Sequence, residues 1–274
     1  MTTQASKASA FRALHESDGA FIIPNPWDIG TARILDQLGY KALATTSAGY
    51  AFSRGQRDNM IARDEMMSNV SEIVNATDLP VSGDLVNGFG DAPETVAETI
   101  RMAAEAGLVS ASIEDSTGRA EDPLYSIELG VERIRAAVEA AREMPIDLMV
   151  TGRAENFLVG HPDLKDTIQR LQAYQDAGAD ILYAPGLTSM ADIATVVREV
   201  DRPLNVVMGL KGPQASLSEL ADIGVKRVSV GSALSRAALG AFLRASKEMI
   251  ERGTFSFAEE AVPFAEISAL MQTE

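Results

Sequence analysis

Ala103-Ala104-Glu105-Ala106-Gly107-Leu108-Val109-Ser110-Ala111-Ser112-Ile113-Glu114-Asp115 carries the decisive pattern of this chain. An alanine-rich helical end runs into Gly107, where a left-handed C-cap is wanted. The glycine hands the chain to a short apolar strand, 109–114. That strand stops on two adjacent carboxylates, Glu114 and Asp115.

Working outward, the same order returns at Leu38-Gly39-Tyr40, Ala177-Gly178-Ala179 and Ile223-Gly224-Val225. Each glycine is followed by another apolar run. The predicted strands are 20–24, 41–45, 80–84, 109–114, 147–153, 180–184, 203–207 and 227–230. Helical spacing fills 29–38, 63–76, 92–106, 128–143, 164–177, 191–199, 217–223 and 233–251. Repeated switching between a period of about 2 and about 3.6 signals βα units. Eight such units predict an α/β fold, a (β/α)8 TIM-type barrel. A doubly wound open sheet fits less well, because no G-x-G-x-x-G turn follows the first strand. A tail at about 256–272 reads as an extra helix. No linker or low-complexity segment interrupts the chain, so 1–274 reads as a single domain.

The 274 residues are 46% hydrophobic and 23% charged, with a formal net charge of -15. Barrels reach this size as one unit. So acidic a surface repels nucleic acid and anionic lipid, which excludes both as expected partners. The absence of cysteine excludes disulfides, thiolate metal sites and cysteine catalysis. The polar N-terminus lacks an apolar signal core, and no run of 18 apolar residues exists. The expected location is the cytoplasm.

Barrels of this kind place their chemistry at the C-terminal ends of the strands. There the sequence puts Asp84, Glu114 and Arg153 at the ends of strands three, four and five. Asp58 joins them from the loop after strand two. Carboxylates brought together in one mouth need a counter-charge. A hard divalent cation with oxygen ligands supplies one, and Arg153 adds a planar fork for an anion. Thr46 and Ser47, with the loop amides around Ala48 and Gly49, form a second anion cradle. The implied ligand is small and anionic. Single acids at strand ends also serve as helix caps, and Asp28 and Asp91 fit that role better. Asp115 reads as a supporting or solvated group, and Glu155 as a partner for a neighbouring arginine. His15 reads as an exposed helical residue, and His161 as a loop-capping residue. Tyr50, Tyr125 and His161 are candidate proton donors.

These residues resemble the isocitrate lyase/phosphoenolpyruvate mutase superfamily across nearly the whole chain. Asp84 through Gly90 is similar to its D-x-D-x-G-[YF]-G metal loop, and Ile113-Glu114-Asp115 to its I-E-D strand end. Thr151-Gly152-Arg153-Ala154-Glu155 resembles its A-R-T-[DE] strand end, and Thr45 through Asp58 its substrate loop. Ile23 to Asp28 and Ala184 to Ser189 also read as family-like. The resemblance implies Mg2+ or Mn2+ and a 2-oxo or 2-hydroxy acid. It implies Asp84 as direct metal ligand, with Glu114 and Asp58 behind metal-bound water. Arg153 would bind the substrate carboxylate and carry enolate charge, with Thr46, Ser47 and Ala48 on the substrate's other oxygens. It further implies an eighth helix swapped between subunits, in a homo-oligomer, dimer or tetramer.

The departures are specific. Val86 stands where the metal loop has its second Asp. The lyase K-K-C-G-H loop is replaced by residues 116–125, and Ala184-Pro185 stands where lyases carry a Glu. The Lys and Asn of the mutase gating loop are absent. Three readings follow: an enolate-forming C–C lyase or decarboxylase, a P–C bond enzyme acting on phosphonopyruvate, or a non-catalytic barrel that binds a small carboxylate.

Overall fold

Every predicted strand forms, and all eight are parallel. The computed structural model describes residues 2–209 and 214–272. The chain opens with α1 (Gln4–Glu16), β1 (Phe21–Ile23), α2 (Ile29–Gln37), β2 (Leu43–Ala44), α3 (Ser47–Ser53) and α4 (Arg63–Asn75). It continues through β3 (Val81–Asp84), α5 (Pro93–Glu105), β4 (Ser110–Glu114), α6 (Ile127–Arg142), β5 (Met149–Arg153) and α7 (Leu164–Asp176). Then come β6 (Ile181–Tyr183), α8 (Met190–Glu199), β7 (Leu204–Val207), α9 (Leu217–Asp222), β8 (Arg227–Ser229) and α10 (Ala233–Arg252). A 3-10 turn at Ser256–Glu260 and α11 (Phe264–Leu270) complete it.

The ladder runs from β2 through β3 to β8 and on to β1. Ala44 N donates to Pro24 O at 3.0 Å, and Asn25 Nδ2 to Thr45 O at 2.9 Å, drawing β1 and β2 together. The fold is a (β/α)8 barrel. All five β4 residues are buried, as a strand between barrel interior and helical layer requires. Gly107 and Gly178 take φ of 98° and 103°, the left-handed turn that ends α5 and α7 and starts the next strand. Among the described residues, no helix is long and apolar enough to cross a membrane.

Several local expectations change. Residues 47–53 form a helix instead of an open loop, because the Thr46 side chain accepts from Gly49 N and caps it. His15 is buried, not exposed. Its ring lies 4.7 Å from Phe11 and 5.0 Å from Phe21, closing the N-terminal end of the barrel. Burial, with Arg227 next, lowers its pKa to about 3, so the ring is neutral. Asp28 does cap its helix, in a capping box with Thr31. Asp91 does not: Ala92 precedes α5, and Asp91 instead accepts from Tyr125 Oη at 2.6 Å and Arg119 Nη1 at 2.9 Å. The tail is divided at Pro263, which cannot donate within a continuing helix.

Candidate active site

Register brings the strand-end residues together. Glu114 pairs with Arg153, and Arg153 with Tyr183, across β4, β5 and β6. Arg153 Nη1 lies 3.4 Å from Asp84 Oδ1 and 3.3 Å from Glu114 Oε2. Its Nε donates to Glu155 Oε1, and its guanidinium sits over the Tyr183 ring, 5.0 Å from the centroid. Asp58 arrives between α3 and α4, where its Oδ1 accepts from Ser47 Oγ at 3.2 Å and Asn59 N at 3.0 Å. Ser47 N donates to Asp84 Oδ2 at 2.9 Å, and Thr45 Oγ1 accepts from Asp84 N. The first turn of α3 therefore already holds a carboxylate, that of Asp84.

Asp84, Glu114 and Glu155 share the guanidinium of Arg153, and Asp58 feels its charge without pairing with it. Burial pushes Glu114 well above the usual carboxyl range, and Arg153 pulls it back only in part. Glu155 is raised by burial against the same pull. Asp58, although exposed, is raised by desolvation among the crowded rim groups and then by Asp84. Burial disfavours the charge on Arg153, but Glu155 and Glu114 outweigh it and keep the side chain protonated. The rim thus holds more acid than Arg153 can balance, and without a further cation retained protons make up the difference.

Among the described residues, no three acids or histidines stand together as a ready metal cage. Arg153 lies between Asp84 and Glu114 instead. The donors are carboxylate oxygens with excess negative charge, which suits a hard divalent cation that keeps most of its waters. Val86 adds no oxygen, yet it keeps φ at +44°, a conformation that costs a β-branched residue roughly 1–3 kcal/mol. Its carbonyl accepts from Glu114 N at 3.0 Å, which ties the loop after β3 to the end of β4.

Two cavities flank Ser47. One of about 150 Å³ reaches into the barrel and is lined by Thr46, Ser47, Ala48, Asp58, Asp84 and Arg153. Tyr183, Asn205, Arg227 and Ser229 also line it. The other, about 690 Å³, lies between α4 and the loops after β3 and β4, with Val86 and Glu114 on its wall. The predicted metal, substrate and strand-end residues, Thr46, Ser47, Ala48, Asp58, Asp84, Glu114 and Arg153, therefore each line one of these two cavities. Asp115 stands apart: it is buried, and it accepts from Glu155 N at 2.8 Å, Arg170 Nη1 at 3.0 Å and Tyr174 Oη at 2.6 Å. It fixes the backbone that carries Glu155.

The proposed proton donors line neither cavity. Tyr125 is held by Asp91 and Asn87, with its pKa pushed up to about 12 by burial and Asp91. His161 is exposed in the loop after β5, where its amide donates to Asn156 O and its carbonyl accepts from Asp163 N. Sequence reasoning missed Tyr183, Asn205, Arg227 and Ser229. For Asn205 and Ser229 a signal was present: a polar side chain within an apolar strand faces a barrel interior.

The chain matches the phosphoenolpyruvate phosphomutase family model over residues 11–250. It belongs to that family, within the isocitrate lyase/phosphoenolpyruvate mutase superfamily of enzymes. Among its relatives is a crystal structure of a candidate lyase/mutase from Burkholderia cenocepacia J2315, with 63% identity and a TM-score of 0.96. That match covers 97% of this chain and 96% of the other. The oxaloacetate decarboxylase of Pseudomonas aeruginosa is 30% identical over 250 residues, 89% of this chain and 84% of that protein. A crystal structure of 2,3-dimethylmalate lyase superposes with a TM-score of 0.85 at 28% identity, covering 98% and 95%.

Proposed function

We propose that this protein is a divalent-metal-dependent lyase or decarboxylase that breaks a C–C bond of a small 2-oxo or 2-hydroxy (di)carboxylic acid through an enolate. One observation carries the reading: three carboxylates at one rim share one arginine and a fourth, Asp58, stands beside them, with burial holding Glu114 well above its ordinary pKa. Mg2+ or Mn2+ is the cofactor that charge balance favours. Asp84 is the direct ligand, with Glu114 and Asp58 holding its waters. When bound, such a cation draws charge from a carboxylate and an adjacent carbonyl oxygen.

The chain's own groups do the rest. Arg153 receives the substrate carboxylate and faces the charge that develops as the bond breaks. Its fork is held in advance by Glu155 and stacked on Tyr183. Thr46, Ser47 and Ala48 contact the remaining substrate oxygens. Tyr183, whose pKa burial pushes up to about 12, keeps its proton at neutral pH and lines the same cavity. It is a candidate donor to the product carbon. The oxaloacetate decarboxylase and dimethylmalate lyase among the relatives support C–C chemistry on a carboxylic acid.

The test is oxaloacetate loss followed with and without Mg2+. Turnover should require the metal and fall about a thousandfold in Asp84→Ala. The family model favours a second reading, P–C chemistry, which phosphate or phosphoenolpyruvate formation from phosphonopyruvate would establish instead. No turnover across 2-oxo, 2-hydroxy and phosphono acids with saturating metal would overturn both readings. Thermal stabilisation by such an acid without turnover would mark a carboxylate-binding barrel. We also expect a homodimer or homotetramer: α10 buries only Ser235 and exposes Leu239, Phe242, Leu243 and Ile250. Light scattering checks the assembly.

A further inference from the structure

Arg227 starts β8 and points into the barrel. Its neighbours follow a continuous line of registered partners: Glu114, Arg153, Tyr183, Asn205 and Arg227, across β4 to β8. Registered partners share a face, so the line leads along the interior from the acidic cluster to Arg227. Arg227 Nε donates to Asn205 Oδ1 at 2.8 Å, and Nη2 crosses the barrel to Thr151 Oγ1 at 3.4 Å. Thr151 lies two residues before Arg153 on β5, so the Arg227 side chain reaches that strand at a position roughly 7 Å of backbone before Arg153.

The residue is 4% exposed, and its Nη1 has no hydrogen-bond partner among the described residues. Among the described residues no carboxylate favours its charge, and burial lowers its pKa to about 10, which still leaves it protonated at neutral pH. A buried cation without a counter-ion is costly, and chains retain one where something else supplies the anion. The side below is closed by neutral His15 between Phe11 and Phe21. The open side is the cavity of about 150 Å³ that also carries Asp84 and Arg153. Ser229, whose Oγ accepts from Asn205 Nδ2 at 3.0 Å, faces the same space.

We infer that Arg227, with Asn205 and Ser229, is an anion subsite inside the barrel that takes one carboxylate of a short dicarboxylate. The ligand's other end lies at Asp84 and Arg153, and that half rests on the function proposed above. Arg227 then selects dicarboxylates over monocarboxylates of equal length.

Two measurements test it. In crystals of the metal-free wild type soaked in bromide, anomalous scattering should place an ion against Arg227 Nη1. In calorimetry on the Mg2+-loaded full chain, L-malate should bind at least about tenfold tighter than 2-hydroxybutyrate. Arg227→Gln should erase that preference, and Arg227→Lys should restore part of it. Oxalate, which needs only the rim, should bind wild type and Arg227→Gln alike, and so reports an intact fold. Absence of bromide at Arg227, or a preference that survives Arg227→Gln, overturns the subsite. Failure of oxalate to bind the loaded wild type overturns the metal reading of the rim instead, and the bromide result then decides the subsite alone.

Discussion

Arg153 and Arg227 enter the same barrel from strands three apart, and the chain gives them opposite company. Arg153 stands among Asp84, Glu114 and Glu155, with more negative charge around it than it can balance. Arg227 stands among neutral amides and hydroxyls, with one nitrogen unpartnered among the described residues. A core optimised for stability alone would pair or remove both excesses. Keeping an anionic surplus at the rim and a cationic surplus one layer below makes the cavity between them polar at both ends. Such a cavity fits a ligand that brings a cation at one end and an anion at the other.

The largest expected effect separates the two arginines by stability. Arg153→Met leaves buried Glu114 and Glu155 and half-buried Asp84 without their partner and should cost about 3–5 kcal/mol in urea unfolding. Arg227→Met removes an uncompensated cation, so it should stay within about 1 kcal/mol of wild type despite losing the bond to Asn205. Equal losses in the two variants would break the contrast.

The next effect is in pH. The folded pKa of Glu114 lies above its ordinary value of 4.5, because burial disfavours the charged form. Between about pH 4.5 and that raised value, the folded protein holds a proton that the unfolded chain has released. Metal-free stability should therefore be highest on the acid side of this window and fall as pH rises through it. Asp58 and Glu155 shift in the same direction. Asp91 and Asp147 are lowered, by the Tyr125 hydroxyl and by Arg12, so they lose stability only as pH falls below their ordinary value of 3.8. Thermal melts across pH, repeated with saturating Mg2+, check this. The metal should flatten the slope, as should Glu114→Gln. A slope that ignores both would locate the surplus charge elsewhere.

The barrel was legible because its signals are local and repeated: helix, glycine, apolar strand. The rim was legible because Asp84, Glu114 and Arg153 end consecutive strands, so topology alone brings them together. Arg227 was not. It stands first in its strand, where an arginine reads as a solvated end, and only the register of β5 through β8 reveals what it faces. His15 failed in the same way, because α1 shows no strong apolar stripe and its burial comes from the barrel end it covers. Residues 47–53 read as a loop because three small residues, Ser47, Ala48 and Gly49, open that helix and hide its period.

The smallest effect tests whether position on the rim or chemistry defines the site. Asp28 and Asp84 are both acids at the C-terminal side of barrel strands, Asp28 after β1 and Asp84 as the last residue of β3. Asp28 Oδ1 accepts from Thr31 N at 2.7 Å and from Thr31 Oγ1 at 2.8 Å, and its own amide donates to the Thr31 hydroxyl. It is exposed and committed to α2. Asp28→Ala should lose about 1 kcal/mol of stability, read from the urea midpoint, and leave turnover unchanged. Asp84→Ala should do the reverse, with a large loss of turnover and a small change in stability, because it relieves repulsion with Asp58 as it gives up Arg153. If Asp28→Ala slows turnover in proportion to the charge removed, the rim acts through its general negative field. If it does not, the constellation around Arg153 is what the barrel presents to its ligand.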